Sequence, residues 1–235
     1  MADPNVTEPT WRSYDITPGE HISVSTGTLQ LTASLSDGEL WLAAEHLTRT
    51  RRKRNPARRP PDVHWERWAL RHKTNGIKVA PALPDRSLVV KPDTPFRMLP
   101  GVHAKVYVLV PVWVNVFAAA KDNPLITTYP SVRLSDTWFG NPMEGEQCYW
   151  LSSPAKRSVA VDELAEHLVI CPVSLKNSSG EQLLVEKLCL RVRWLSLFDS
   201  EGQLWANETR VSWRGTNDMS RVTVANGAPS DAPEA

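Results

Sequence analysis

Apolar and polar residues alternate along most of this sequence, and that period of two restricts the fold more than any other feature. The alternation is clear in HISVS (21–25) and TLQLTAS (28–34), and successive side chains of a strand point to opposite faces of a sheet. Nineteen prolines and eleven glycines interrupt the pattern at short intervals. The sequence therefore predicts an all-β fold: a β-sandwich, built as one large unit or as two packed immunoglobulin-like or jelly-roll-like units.

Two stretches depart from this alternation. VDELAEHL (161–168) is predicted to form one short helix. VYVLVPVWVNVFAAA (106–120) is apolar enough to suggest a membrane segment, but it is shorter than the ~20 residues that a spanning helix needs. Valine and aromatic residues favour strands, and Pro111 would break a helix. This stretch is therefore predicted to form two consecutive buried strands, or one strand with a bulge at Pro111.

The cysteines and the N-terminus favour a reducing compartment. Three cysteines, an odd number, argue against a disulfide framework, and residues 1–11 lack the pattern of a secretory signal. Residues 169–175 are predicted to pair with 188–194 as a hairpin, with Cys171 and Cys189 on its opposite faces. A disulfide between these two cysteines is then excluded, and we predict a cytoplasmic protein.

Composition along the chain predicts four segments. The sequence indicates the following division: a disordered N-terminus (1–10), an N-terminal β unit (11–98) with a basic hairpin loop (48–61), a C-terminal β unit (99–223) and a disordered tail (224–235). Residues 39–47 are predicted to pair with 63–72 on either side of the basic loop. Whether the two β units are one domain or two stays open at this point.

The basic loop is the first candidate interaction surface. Its seven cations are Arg49, Arg51, Arg52, Lys53, Arg54, Arg58 and Arg59. The whole chain carries a formal charge of only +1, so the remainder is acidic, and no nucleic-acid-binding motif is present. A solvated loop is the leading interpretation, followed by a protein or anionic membrane surface, and nucleic acid is the least favoured partner.

A second candidate surface lies in SDTWFGNPMEGEQCYW (135–150). This ligand or partner cluster contains Asp136, Trp138, Phe139, Glu144, Glu146 and Trp150. Aromatic faces stack on sugars or bases, and carboxylates accept hydrogen bonds from hydroxyls. The simpler interpretation is a hairpin with core aromatics and turns at the Asn-Pro and Glu-Gly steps. The ten tryptophans are predicted to be largely buried.

Motifs that mark common enzymes are missing from the sequence. The six histidines are scattered, and no HExxH, paired CxxC or calcium-loop spacing occurs. No GxSxG, GxGxxG or GxxxxGK[ST] pattern is present. We therefore expect no catalytic residues, no metal site and no cofactor, and a non-enzyme is favoured.

Several blocks of the sequence resemble an uncharacterised prokaryotic family, domain of unknown function 432. These blocks are LVVKPDTPFRMLPG, VYVLVPVWV, LSDTWFGNPMEGEQCYWL and CPVSLKNSSGEQLLVEKLCLRV, and the resemblance covers roughly residues 15–215. It implies a small soluble protein without an assigned activity and supplies no functional residues.

The function predicted from the sequence is that of a non-enzymatic interaction or accessory protein. Its expected partner is another protein, with a membrane protein among the candidates, and no transmembrane segment is expected. Two alternatives stay open. One is a carbohydrate- or small-ligand-binding β-sandwich module with exposed tryptophans, and the other is an enzyme of unrecognised type with a deep pocket of converging acids.

Overall fold

The computed structural model describes residues 9–36, 38–47, 63–161, 164–216 and 218–232. Regular structure in these ranges is almost entirely strand, which confirms the predicted all-β class. In the described part of the predicted helix at 161–168, Val161 has 3-10 geometry, Glu166 and His167 form a turn, and Leu168 begins a strand. Among the described residues, no helix has the length and apolarity needed to cross a bilayer.

The strands are numbered in chain order. The first ten are β1 (Ser13–Asp15), β2 (His21–Thr26), β3 (Leu29–Ser36), β4 (Glu39–His46), β5 (Glu66–Ala69), β6 (Gly76–Ala82), β7 (Leu88–Pro92), β8 (Phe96–Met98), β9 (His103–Pro111) and β10 (Trp113–Ala118). The remainder are β11 (Leu125–Pro130), β12 (Ser135–Phe139), β13 (Glu146–Ala155), β14 (Leu168–Asn177), β15 (Leu183–Val185), β16 (Leu188–Leu190), β17 (Leu197–Ser200), β18 (Gln203–Ala206), β19 (Thr209–Trp213) and β20 (Arg221–Val224). A 3-10 turn at Val192–Trp194 follows β16.

The chain divides into two compact units that are interleaved in sequence. Unit 1 comprises the described residues of Met1–Ala82 and Val112–Arg133. Unit 2 comprises the described residues of Leu83–Pro111 and Leu134–Ala235. The predicted division between residues 98 and 99 falls inside unit 2. The apolar run at 106–120 does form two strands, as predicted, but β9 belongs to unit 2 and β10 to unit 1.

Unit 1 contains two four-stranded sheets with a common apolar core. Their strand orders are β2-β3-β4-β5 and β1-β6-β10-β11. Alternate residues of β4 and β10, such as Leu40, Leu42, Val114 and Val116, are buried in that core. The apolar stripes of the two sheets therefore line a single sandwich interior.

The predicted pairing of residues 39–47 with 63–72 is present in unit 1. Strand β4 pairs with β5 in antiparallel register, with Leu42 opposite Glu66 and Glu39 opposite Ala69. On the outer face the guanidinium of Arg67 donates to Glu39 at 2.7 Å and lies 4.7 Å from the ring of Trp41. The chain between these strands, residues 48–62, lies outside the described residues.

Strand β14 is central to the largest sheet of unit 2. It pairs with β9 along one edge and in parallel with β18 and then β19 along the other, while β17 and β20 extend the sheet. Its residues are buried almost continuously, as expected for a strand covered on both faces. Pro172 has no N–H to donate, and it lies where the partner strand changes from β18 to β19, so that no ladder bond is lost there.

The predicted hairpin of 169–175 with 188–194 is wrong. Strand β15 pairs with β8 and strand β16 pairs with β7, in different sheets from β14. Both edges of β14 are occupied by β9, β18 and β19, and at its end the buried amide of Asn177 donates to the carbonyls of Met98 (3.0 Å) and Glu181 (2.7 Å). These bonds direct the chain towards β8. All three cysteines are free.

The C-terminal segment predicted as a disordered tail is, over its described part, packed against unit 2. Asp231 accepts a hydrogen bond from the hydroxyl of Tyr107 at 2.9 Å and forms an ion pair with Lys105. Ala232 packs against the small apolar cluster around Trp205. Apolar and ionic contacts together hold this segment in place, although its polar composition had predicted disorder.

This contact predicts acid-dependent release of the tail. Burial opposes ionisation of Asp231, but hydrogen bonds from Lys105 and Tyr107 outweigh it and hold the carboxyl pKa below its ordinary value. A lowered pKa stabilises the folded state above the ordinary carboxyl pKa, and that contribution is lost as pH falls through the lowered value. Thermal melting against pH should therefore show wild type more stable than Asp231→Asn at neutral pH, with the two curves meeting in acid. Parallel curves throughout would contradict this assignment.

Candidate functional site

The structure tests the location of only one of the two predicted surfaces. The basic cluster, Arg49 to Arg59, lies outside the described residues, so its role stays a prediction. The aromatic and acidic cluster lies on the hairpin of β12 and β13 in unit 2. That hairpin belongs to a four-stranded sheet with the order β12-β13-β7-β16.

The register of this hairpin separates the predicted cluster onto two faces. Trp138 pairs with Gln147 and Asp136 pairs with Tyr149, whereas Trp150, Glu146 and Phe139 belong to the alternate set of residues. Because the side-chain period of a strand is two, Trp138 and Trp150 point to opposite faces. These two tryptophans therefore do not form a planar row.

Trp138 and Glu144 take part in the turn of the hairpin. The indole N–H of Trp138 donates to the Asn141 carbonyl at 3.0 Å, and the Asn141 side chain accepts from the Glu144 amide at 2.7 Å. Gly145 permits this arrangement, since a Cβ there would lie 2.1 Å from the indole nitrogen. Trp138 is nevertheless 52% exposed.

Tryptophan burial differs from the sequence-based expectation. All ten tryptophans lie in described ranges, and only Trp205 is fully buried, while Trp138 and Trp194 are exposed and the other seven are intermediate. Lys91 lies 5.6 Å from the ring of Trp150, and Arg67 covers Trp41. A cation therefore lies over one face of each of these two rings.

Glu146 lies at the centre of a polar group assembled from three strands or strand ends. Its carboxylate accepts from the Ser87 hydroxyl and from the Arg191 guanidinium, each at 3.0 Å. The Cys189 sulfur lies 3.8 Å from the same carboxylate. Ligand atoms of Glu146, Cys148 and Cys189 all lie within 4.8 Å of one another. The sequence did not predict this group, because its members are brought together only by the pairing of β13 and β16 with β7.

The surroundings raise the pKa of both thiols of this group above the ordinary value of a cysteine. Burial is the main cause that raises the pKa of Cys148 and raises that of Cys189 to about 12. The Glu146 carboxylate adds to both effects, while Arg191 opposes them. Cys148 is fully buried and Cys189 is half-buried.

An apolar cleft of about 350 Å³ opens in unit 2. One wall is a row of side chains in register across three strands of the large sheet: Leu175, Val211 and Val222. The segment 183–191 forms the opposite wall. The charged residues in the lining, Lys187 and Arg191, are both cationic. At the mouth, Met219 is 92% exposed.

Strand β20 is an edge of the same sheet. In the part of the chain that the structure describes, it pairs with β19 alone. Arg221, Val222 and Thr223 are exposed. On the face opposite the cleft, Lys176, Ser212 and Arg221 lie side by side. Arg210 is the neighbouring residue of β19 on that face, two positions before Ser212. The edge strand therefore borders an apolar surface on one face of the sheet and a basic surface on the other.

These features define an all-β protein with several sheets in two units. Unit 2 contains an apolar cleft with two cations in its lining, and a polar group of one carboxylate and two thiols. The chain belongs to the family described as protein of unknown function DUF432, whose model matches residues 10–235. This match confirms the resemblance noted from the sequence. No curated protein and no solved structure matches the chain.

Proposed function

We propose that this chain is a non-enzymatic cytoplasmic interaction protein, and that strand β20 binds an extended segment of another protein. The observation that carries the proposal is the edge strand with different chemistry on its two sides. An unpaired edge presents backbone N–H and C=O groups to which a further strand can be added. The three free cysteines support the cytoplasmic location.

The apolar side of the edge favours apolar residues in the partner. Val222 is 39% exposed and continues the row formed by Leu175 and Val211. A strand added beside β20 would place every second side chain over this row and at the mouth of the cleft. Burial of Val222 and Met219 would then stabilise the complex by removing apolar surface from water.

The basic side of the edge favours acidic residues between the apolar ones. Arg221 and Lys176 flank Ser212 across the sheet, and Arg210 is 62% exposed although it pairs with Glu208 at 3.0 Å. Partner residues that point to this face would meet positive charge. The proposed partner segment therefore alternates apolar and acidic residues, and a membrane protein with such a segment on its cytoplasmic side is one class of candidate.

A defined peptide pair tests this proposal. We expect a short fluorescent peptide of alternating valine and glutamate to bind the full chain, and the valine–lysine counterpart to bind much more weakly. Arg221→Glu should weaken binding of the valine–glutamate peptide about 10-fold or more, since it places like charges together. Added salt should weaken the wild-type complex. Fluorescence anisotropy measures each affinity.

Matched variants separate this edge from general surface effects. Arg193→Glu introduces the same charge change at an exposed turn residue that belongs neither to the apolar cleft nor to the basic surface. It should leave peptide binding unchanged. Met219→Asp should weaken binding, whereas Met143→Asp, at an equally exposed residue, should not. Equal binding of both peptides would overturn the proposal. If the chain binds neither peptide, the proposal is wrong, and Arg221 is a charge that protects an exposed edge from non-specific pairing.

The cleft itself favours a second candidate function, the binding of a small apolar acid. Its volume of about 350 Å³ is at the lower end of the range for small-molecule sites, and Lys187 and Arg191 could pair with a carboxylate. A medium-chain fatty acid that binds with an affinity unaffected by Arg221→Glu, but lowered by Lys187→Glu, would support this function instead. The edge strand beside the cleft is the reason for preferring a protein partner.

A further inference from the structure

We propose that Glu146, Cys148 and Cys189 form a Zn²⁺ site on the four-stranded sheet of unit 2. The inference goes beyond the proposed function and does not depend on strand β20. One carboxylate oxygen and two sulfurs lie within 4.8 Å of one another. Tetrahedral zinc, with bonds of about 2.0–2.3 Å, places its ligand atoms about 3.3–3.8 Å apart. Small rotations of the three side chains are enough to bring these atoms onto one ion.

Strand order favours a metal over a disulfide between the same cysteines. Cys148 lies on β13 and Cys189 on β16, and β7 lies between them in the sheet. Neighbouring strands are about 4.8 Å apart, so these two strands are separated by about 9.6 Å. A disulfide needs Cα atoms within about 6.8 Å. A metal ion between the two sulfurs spans the extra distance without backbone movement.

The charges around the group also suit a divalent cation. Two thiolates and one carboxylate carry three negative charges, zinc supplies two positive charges, and the Arg191 guanidinium, 3.0 Å from Glu146, supplies the third. The resulting site is neutral, which limits the penalty of holding charge beside the buried Cys148. Ser87 donates to the second oxygen of Glu146 and orients that ligand, as outer residues of metal sites commonly do.

Zinc is the metal that this ligand set fits best, and the site has an entry path. Thiolates favour zinc over magnesium or calcium, and the carboxylate is a common third ligand. Glu146 and Arg191 line a polar cleft of about 430 Å³, through which the ion and a water molecule can reach the group. Binding replaces both S–H protons, which leave to the solvent, and the water completes a four-coordinate site.

Metal titration of the full chain tests the site. Protein reduced with a phosphine should bind one equivalent of Zn²⁺, and Co²⁺ should give the near-ultraviolet thiolate-to-cobalt absorption of two sulfur ligands. Cys148→Ser and Cys189→Ser should each lower affinity at least about 100-fold, and Ser87→Ala should lower it about 10-fold. Cys171→Ala changes a cysteine in a different sheet and should retain both binding and absorption.

A variant with little risk to folding keeps the test decisive. Glu146 is 39% exposed in its side chain, so Glu146→Gln should fold and still bind zinc more weakly than wild type. Zinc should also raise the melting temperature of wild type more than that of this variant. Cobalt absorption that survives loss of either Cys148 or Cys189 would overturn the proposal, as would a Cys148–Cys189 disulfide formed on mild oxidation and detected by mass spectrometry.

Discussion

Gly76→Ala will lower the free energy of unfolding by about 3 kcal/mol, because β1 and β6 approach too closely at this residue to admit a side chain. A Cβ on Gly76 would lie 1.9 Å from the carbonyl oxygen of Tyr14 and 2.9 Å from its carbonyl carbon. Both atoms belong to the backbone, so the clash cannot be relieved by rotating a side chain. Strand β1 would have to move away from the sheet that contains Val79 and Val116.

Denaturant unfolding of the full chain measures this effect. Gly180→Ala is the matched control, since a Cβ there meets no atom within 4 Å and its backbone does not adopt a positive φ. That variant should be neutral or slightly more stable, by less than about 1 kcal/mol, because alanine restricts the unfolded chain. Equal stability of the two variants would contradict the strand contact at Gly76.

Asn177→Ala will lower the free energy of unfolding by a similar amount, about 3 kcal/mol, because it removes four hydrogen bonds of a buried side chain and takes the Asn177 donor from the buried Met98 carbonyl. The amide nitrogen donates to Met98 and Glu181, and the amide oxygen accepts from the backbone N–H of Ser179 at 3.0 Å and from its hydroxyl at 2.8 Å. Asn177 itself is fully buried. A methyl group can replace none of these bonds.

The same substitution should also affect the proposed binding surface. Asn177 holds the chain that leads into β15, and residues 183–191 form one wall of the apolar cleft. Asn177→Ala should therefore weaken binding of the valine–glutamate peptide as well as lower the free energy of unfolding. Ser178→Ala removes only an exposed hydroxyl contact with Ser212 and should change stability by less than about 0.5 kcal/mol. If Ser178→Ala lowers the free energy of unfolding as much as Asn177→Ala does, the destabilisation comes from a general change in the loop and not from the hydrogen bonds of Asn177.

Local pattern was sufficient to predict the fold class, the pairing of residues 39–47 with 63–72 and the hairpin within 135–150. The alternation in residues 21–46 and the turn formers between them determine the antiparallel β2-β3-β4 sheet. The hairpin of β12 and β13 likewise follows from its central Asn-Pro and Glu-Gly steps. In each case the partner strand lies close in sequence, so the loop between the strands restricts the register.

Long-range pairing was not predictable in the same way. The alternating stripe of β14 suits any strand with a matching stripe, and its actual partners, β9, β18 and β19, are distant in sequence or parallel to it. These partners occupy both edges of β14 and so exclude the local hairpin, and the hydrogen bonds of the buried Asn177 depend on the position of the Met98 carbonyl. The proximity of Cys148 to Cys189 depends on these distant pairings as well, and so no ligand spacing reveals it.

Hydrogen–deuterium exchange of strand β20 tests the central claim most directly. Amide exchange at residues 221–224 would be compared in the free full chain and in the presence of the valine–glutamate peptide. Strand addition predicts that exchange slows at alternate residues of β20, whose N–H groups point away from β19, and that Arg221→Glu abolishes the change. Unchanged exchange at β20 with a saturating peptide, or protection confined to another part of the chain, would contradict the account.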